Sequence, residues 1–299
     1  MHAVDASGRH GQASSARWRD EAYRSADCSA RRRFLDARNF VVFYGHGHAE
    51  EIRLFDIAIL EPGAWDGDSV LRLKEAGVVV LAYLSLLEAQ PGESLDGFGP
   101  SDFLSERATQ ACGYQAQIMD PRSPRCAVRA RAKVTNAMRL HFDGLFIDTV
   151  SDAERPSLTP LDGSDVPADE LALAVAHAIA SIQQAWPSAI LCQNMGLETV
   201  CRLSASSLDG FCWENFNRCP RNRWFWMMLK WLAGLGRRKR VLLLGEGGDC
   251  TVAAGPRDIE MARRGQILGF LTYLAPRGYS SGVNSQWLDE LQHTGSAGG

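Results

Sequence analysis

Five acidic residues stand at or just beyond the ends of short apolar runs: Glu61, Glu88, Asp148, Glu214 and Glu246. Asp148 follows Gly-Leu-Phe-Ile and Glu214 follows Phe-Cys-Trp, so both carboxylates emerge from chain that excludes water. A carboxylate in such a place needs hydrogen-bond partners or a function. Two of them facing each other suffice to break a glycosidic bond. One must be ionised, to attack the anomeric carbon or activate water. The other must hold a proton for the leaving oxygen, its pKa raised by burial or by its neighbour. Gln193 and Asn194 close another apolar run and can donate hydrogen bonds, and Tyr44 and Tyr83 add hydroxyls. A ring of acids, amides and tyrosines suits a hydroxyl-rich ligand, particularly one bearing cationic amines. Trp213 and Phe216 flank Glu214 as candidate cleft-lining aromatics, and Arg277 can orient a carboxylate or bind a sugar oxygen.

Each of these residues has a plainer reading. Glu61 precedes Pro62-Gly63, so a turn or cap contact is as well motivated as a ligand role. Asp56 and Asp143 fall at strand starts and read as structural, and Asp152 and Glu154 read as a solvated loop. Gly45-His46-Gly47-His48 is an H-x-H placed where metal-dependent amidohydrolase barrels hold two ligands. The other histidines, at 2, 10, 141, 177 and 293, close neither the fifth nor the sixth strand, which favours a loop or subsite role over metal. Trp224 and Trp231 share a helical stripe and read as core packing rather than sugar stacking.

These side chains need elements to aim them. Eight apolar runs read as strands: 39–44, 55–60, 78–85, 144–147, 189–193, 210–213, 241–244 and 268–273. Most are continuous rather than alternating, as parallel strands buried on both faces require. Helical patterns lie between them at 69–76, 168–186, 222–235 and 256–267, with Gly77 and Pro187 as stops and Pro256 at a first helical position. The segment 88–119 reads as an elaborated loop plus helix. The fold class expected is α/β, a single (β/α)8 barrel, whose strand ends converge on one mouth. A doubly wound sheet is the runner-up, but no G-x-G-x-x-G follows the first strand. Residues 1–38 form an irregular extension read as loose, 39–285 the barrel, and 286–299 a tail.

Composition sets outer limits. The chain has 299 residues, 45% apolar and 22% charged, which excludes collagenous, coiled-coil and wholly disordered classes. A net charge of −3 gives no reason to expect nucleic acid or an anionic membrane as partner. The eight cysteines form no C-x-x-C pair, so zinc-ribbon and thioredoxin readings lack support, and Cys192 and Cys212 read as buried small hydrophobes. The N-terminus lacks an apolar signal-peptide core, and no apolar stretch approaches the ~20 residues that span a bilayer.

Several motifs together resemble glycoside hydrolase family 114. They are Phe55–Pro62 (FDIAILEP), Leu73–Gly77 (LKEAG), Leu81–Ser85 (LAYLS), Phe142–Val150 (FDGLFIDTV) and Gln193-Asn194, in that order. The FDGLFID element is the most specific, and the resemblance covers the barrel but not the N-terminal segment. It implies a (β/α)8 endo-α-1,4-polygalactosaminidase-like hydrolase acting on galactosamine-containing polysaccharide without a metal cofactor. It further implies Asp148 as nucleophile and Glu214 as general acid/base of a retaining mechanism. Glu88 matches the acid after the third strand, although Leu87 replaces a glycine there. Glu246 matches the acid after the seventh, although glycines flank it. The implied substrate is extracellular, whereas the chain by itself reads as cytoplasmic. A non-catalytic carbohydrate-binding barrel and an amidohydrolase using His46 and His48 are the competing readings.

Overall fold

The computed structural model describes residues 29–104, 116–154, 160, 166–235, 238–246, 256–276, 279–286 and 288. Eight parallel strands form one sheet curled into a nearly closed barrel. They are β1 (Phe40–Phe43), β2 (Ile57–Leu60), β3 (Val79–Ser85), β6 (Gly144–Asp148), β7 (Ile190–Asn194), β8 (Gly210–Glu214), β9 (Arg240–Glu246) and β10 (Leu271–Ala275), neighbours in that order. β1 and β10 meet across the seam, where the Phe40 and Tyr273 rings lie 5.8 Å apart and the Tyr44 amide donates to the Tyr279 carbonyl. Every residue of β1, β2, β7 and β10 is buried, which explains why they carry so few polar side chains. The outer layer holds α1 (residues 29–36), α2 (Ala49–Ile52), α3 (Gly67–Glu75), α4 (Pro124–Arg139), α5 (Ala168–Ala185), α6 (Val200–Ser204), α7 (Arg223–Leu235) and α8 (Pro256–Ile267). No helix among the described residues is long and apolar enough to cross a membrane.

All eight expected strands are present, with local differences. The last strand begins at Leu271 rather than Leu268, because Gly269 at φ +81° ends α8 and the Phe270 amide turns back to the Gly265 carbonyl. Between β3 and β6 the chain forms a two-stranded antiparallel ribbon, β4 (Glu88–Ala89) with β5 (Gln117–Ile118), absent from the sequence reading. A helix, α4, follows this segment, where Ser123 accepts from the Arg125 amide and Pro124 opens the first turn, while residues 105–115 lie outside the described residues. Residues 29–36, assigned to the loose extension, form α1 beneath the barrel. Phe34 is fully buried there against Gly210, and Arg31 pairs with Asp209 at 2.8 Å.

The N-terminal ends of the strands are stitched by acids. Asp56 accepts from the Arg38 amide at 2.7 Å, Asp143 from the Val80 amide and Lys74 at 3.0 Å each, and Asp209 from the Leu191 amide at 3.0 Å. Asp56 and Asp143 are thus structural, on the face of the barrel that serves stability. Gly144 opens β6 so close to β7 that a Cβ there would lie 2.0 Å from the Ile190 carbonyl oxygen. Only glycine permits that approach, and it fixes β6 beside β7 for the site at their other ends.

Candidate active site

Three adjacent strands end on polar residues: β6 on Asp148, β7 on Asn194 and β8 on Glu214. Side chains alternate along a strand, so these three share the inner face with Phe146, Cys192 and Cys212 below them. The Asn194 amide nitrogen donates to Asp148 Oδ1 at 2.8 Å and to Glu214 Oε2 at 2.7 Å. One nitrogen therefore spans both carboxylates, and those two oxygens lie no farther apart than the two bonds combined, 5.5 Å. Tyr279 Oη donates to Glu214 Oε1 at 2.6 Å, and the Tyr83 hydroxyl donates to Asp148. Tyr44 sits between those tyrosines, its ring 4.7 Å from Tyr83 and 5.4 Å from Tyr279.

Burial sets the electrostatics. Desolvation, with the Glu214 charge second, pushes the Asp148 carboxyl up to about 6, against the donors Thr149 N–H, Asn194 and Tyr83. Desolvation and then the Asp148 charge raise the Tyr44 hydroxyl well above its ordinary value, so it stays protonated. Cys192 and Cys212 are fully buried, and desolvation raises both thiols. They pack as small hydrophobes, as expected.

The chain leaves each of the three strands by a left-handed residue. Thr149, Met195 and Asn215, immediately after Asp148, Asn194 and Glu214, have φ of 66°, 55° and 54°. Left-handed non-glycine residues are uncommon and concentrate at functional sites. Here they recur in register at the mouth of the barrel.

The other expected site residues divide. Tyr44 and Tyr83 join the pair. Glu61 caps a short turn by accepting from the Gly63 amide at 3.3 Å, and it also lines a cavity of about 260 Å³ with Tyr83, Ser85, Gln90 and Lys133. Burial raises its carboxyl. Glu88 lies in β4, its carbonyl accepting from Arg129 at 2.7 Å and from the Ser85 hydroxyl. Glu246 ends β9, but its side chain lies outside the described residues, as does Arg277.

Strand alternation overturns the expectations for Trp213 and Gln193, and burial overturns that for Phe216. Trp213 precedes Glu214 and so faces the opposite way, fully buried against Trp224 at 5.7 Å and Phe225 at 4.9 Å. It lines no cleft, and neither does Phe216, which is 1% exposed. Gln193 likewise faces away from the mouth. Its amide donates to the Met195 carbonyl at 2.9 Å and its oxygen accepts from Ser204 at 2.7 Å, which leaves it latching α6 rather than meeting a ligand.

Asp152 is buried rather than solvated, and Glu154 accepts from the amides of Thr199 and Val200 at the start of α6. Trp231 packs on Phe211 at 5.7 Å, a core role as expected. His46 Nδ1 pairs with the Ala64 carbonyl and His48 Nδ1 with Glu51, so the two rings engage different partners. Tyr279 was not singled out from sequence. The only available signal was its position shortly after the eighth strand, where Arg277 drew attention instead.

No family model and no curated protein matches the chain by sequence. Solved structures do match by fold. The glycoside hydrolase domain of PelA from Pseudomonas aeruginosa aligns with a TM-score of 0.64 at 19% identity, covering 83% of this chain and 98% of that one. Aspergillus fumigatus Ega3, solved in complex with galactosamine, aligns with a TM-score of 0.64 at 11% identity, covering 83% and 94%. An α-galactosidase from Thermus thermophilus in complex with stachyose aligns less closely, with a TM-score of 0.53 at 13% identity, covering 86% and 64%. The chain thus shares its barrel fold with glycoside hydrolases.

Proposed function

We propose that the protein is a retaining glycoside hydrolase that cleaves α-1,4-linked galactosamine-containing polysaccharide, with Asp148 as nucleophile and Glu214 as general acid/base. The observation that carries this reading is the Asn194 amide held between the two carboxylates. Retaining enzymes keep their carboxyl groups about 5–5.5 Å apart, whereas inverting ones leave room for an intervening water. The substrate class follows the fold likeness to the PelA domain and to Ega3, the latter bound to galactosamine. It also follows the acidic, tyrosine-lined mouth, which complements a polycationic sugar chain.

In the reactive form the pair carries one proton, on Glu214. Asp148 attacks the anomeric carbon while the bond to the leaving oxygen breaks, and Glu214 gives that oxygen its proton. The glycosyl ester on Asp148 is then hydrolysed. Water yields a proton to Glu214, its oxygen bonds to the anomeric carbon, and Asp148 departs as carboxylate. Asn194 holds both acids at their spacing throughout. Tyr83 and Tyr279 each stabilise one carboxylate, and this reading gives Tyr44 and Glu61 to sugar binding.

The role of Asp148 has a directional test. As nucleophile it must be ionised while Glu214 keeps its proton, so kcat/KM should be bell-shaped in pH. A profile with no acid limb would argue against an ionised Asp148 in the reactive form. The function itself is tested by incubating the protein with deacetylated and acetylated α-1,4-galactosaminogalactan. Mass spectrometry should detect released oligosaccharides from wild type and none from folded Asp148→Asn or Glu214→Gln. Binding without cleavage by all three proteins would leave a carbohydrate-binding barrel.

A further inference from the structure

We infer that Thr149 is a positioning residue, whose hydroxyl clamps a strained turn and thereby aims the Asp148 carboxylate. The inference rests on the two-carboxylate reading above. Its starting point is a conflict between residue type and conformation. Of the three left-handed residues at the mouth, Asn215 is of a type that tolerates the conformation, and Met195 is followed by the equally left-handed Gly196. Thr149, at φ +66°, is β-branched, for which this region is a genuine outlier.

The side chain explains what holds it there. Thr149 Oγ donates to the Asp148 carbonyl at 2.7 Å and accepts from the Leu87 amide at 2.9 Å. The Glu88 amide approaches the same oxygen at 3.4 Å. The Leu86 amide completes the knot by donating to the Asp148 carbonyl at 3.1 Å. The loop after β3 is thus fastened to the end of β6 through one hydroxyl. From the opposite side the buried Arg129 guanidinium holds the carbonyls of Ser85, Leu86 and Glu88, and is itself fixed by Glu93 at 2.6 Å. The loop cannot shift, so Thr149 cannot relax.

The consequence reaches the carboxylate. In this turn the Thr149 N–H points back onto the Asp148 side chain, supplying a third donor beside Asn194 and Tyr83. The groups facing Asp148 are therefore Glu214, Asn194, Tyr83 and Tyr44, and only the Thr149 amide depends on backbone conformation. Without the hydroxyl the turn relaxes, the amide leaves the carboxylate, and Asp148 loses a donor that favours its charged form.

The test compares Thr149→Val, which keeps the shape without the hydroxyl, with Thr149→Ser, which keeps the hydroxyl. In wild type and both variants, kcat and KM are measured on the polymer, and the Asp148 carboxyl is titrated by 13C NMR. Thr149→Val should lower kcat about 10- to 100-fold with KM within about twofold, as small misplacements of a reacting group do. Its Asp148 midpoint should rise, and Thr149→Ser should restore both. If Thr149→Val does not fold, Thr149→Ala, which lacks the hydroxyl and is still strained at this φ, takes its place with the same expectations. An unchanged Asp148 midpoint in the hydroxyl-free variant would overturn the inference whether or not the polymer is cleaved. Failure of wild type to cleave would count against the proposed function alone.

Discussion

Replacing Asp148 with asparagine should make the protein more stable at neutral pH while abolishing hydrolysis. Burial raises this carboxyl from 3.8 to about 6. A group whose pKa is higher in the folded state binds its proton more tightly there. Its stabilising contribution is complete below about pH 4 and lost as pH rises through about 6. Each pKa unit corresponds to about 1.4 kcal/mol, so ionised Asp148 costs the fold about 3 kcal/mol above pH 6. Asparagine has the same shape and no charge to desolvate. Its oxygen still accepts from Asn194, and its amide donates to the Tyr83 oxygen. A gain of about 2 kcal/mol corresponds to a Tm higher by about 3 °C in a protein of this size. Thermal unfolding of wild type and Asp148→Asn at pH 7.5 and pH 4.0 measures the difference. The gain should appear at pH 7.5 and vanish at pH 4.0. No gain at pH 7.5, or an equal gain at both, would refute the argument that Asp148 is held ionised at a cost.

Other expectations follow from neighbouring contacts. Tyr279→Phe removes the 2.6 Å bond to Glu214 without disturbing the ring packing on Tyr44, so kcat/KM should fall about 10-fold or more while the Tm stays within about 2 °C. Arg129→Met leaves three carbonyls without their donor and Glu93 with Lys133 as its remaining cation, and chemical denaturation should show a loss of about 2–3 kcal/mol. Glu93 is held at about 2 against an ordinary 4.5 by Arg129 and Lys133, which outweigh its desolvation. In wild type its stabilisation is therefore complete above about pH 4.5 and lost as pH falls toward 2, a slope in urea-midpoint against pH that Arg129→Met should flatten.

The barrel was legible in the sequence because its strands are buried on both faces and so read as unbroken apolar runs. Asp148 and Glu214 were legible for the same reason, as charges that interrupt such runs. The errors came where two adjacent residues competed for one inner face. Gln193-Asn194 and Trp213-Glu214 each place one side chain toward the mouth and the other toward the helices, and residue type alone does not say which. In both cases the residue that ends its strand faces in. Tyr279 was hidden because it reaches Glu214 from a loop, 65 positions along the chain, which no periodicity encodes. The ribbon of β4 and β5 was missed because each strand is only 2 residues long, too short for a pattern of alternation. α1 was missed because a segment rich in arginine and alanine reads as solvated until Phe34 is seen beneath the barrel.

The central claim is that Asp148 and Glu214, spaced by Asn194, cleave the glycosidic bond with retention. Proton NMR of the polymer during the first minutes of hydrolysis reads this directly, before the new reducing ends mutarotate. The account predicts α-anomeric reducing ends appearing first with wild type, and none with Asp148→Asn or Glu214→Gln. Initial β-anomeric ends, or undiminished hydrolysis by either variant, would contradict it.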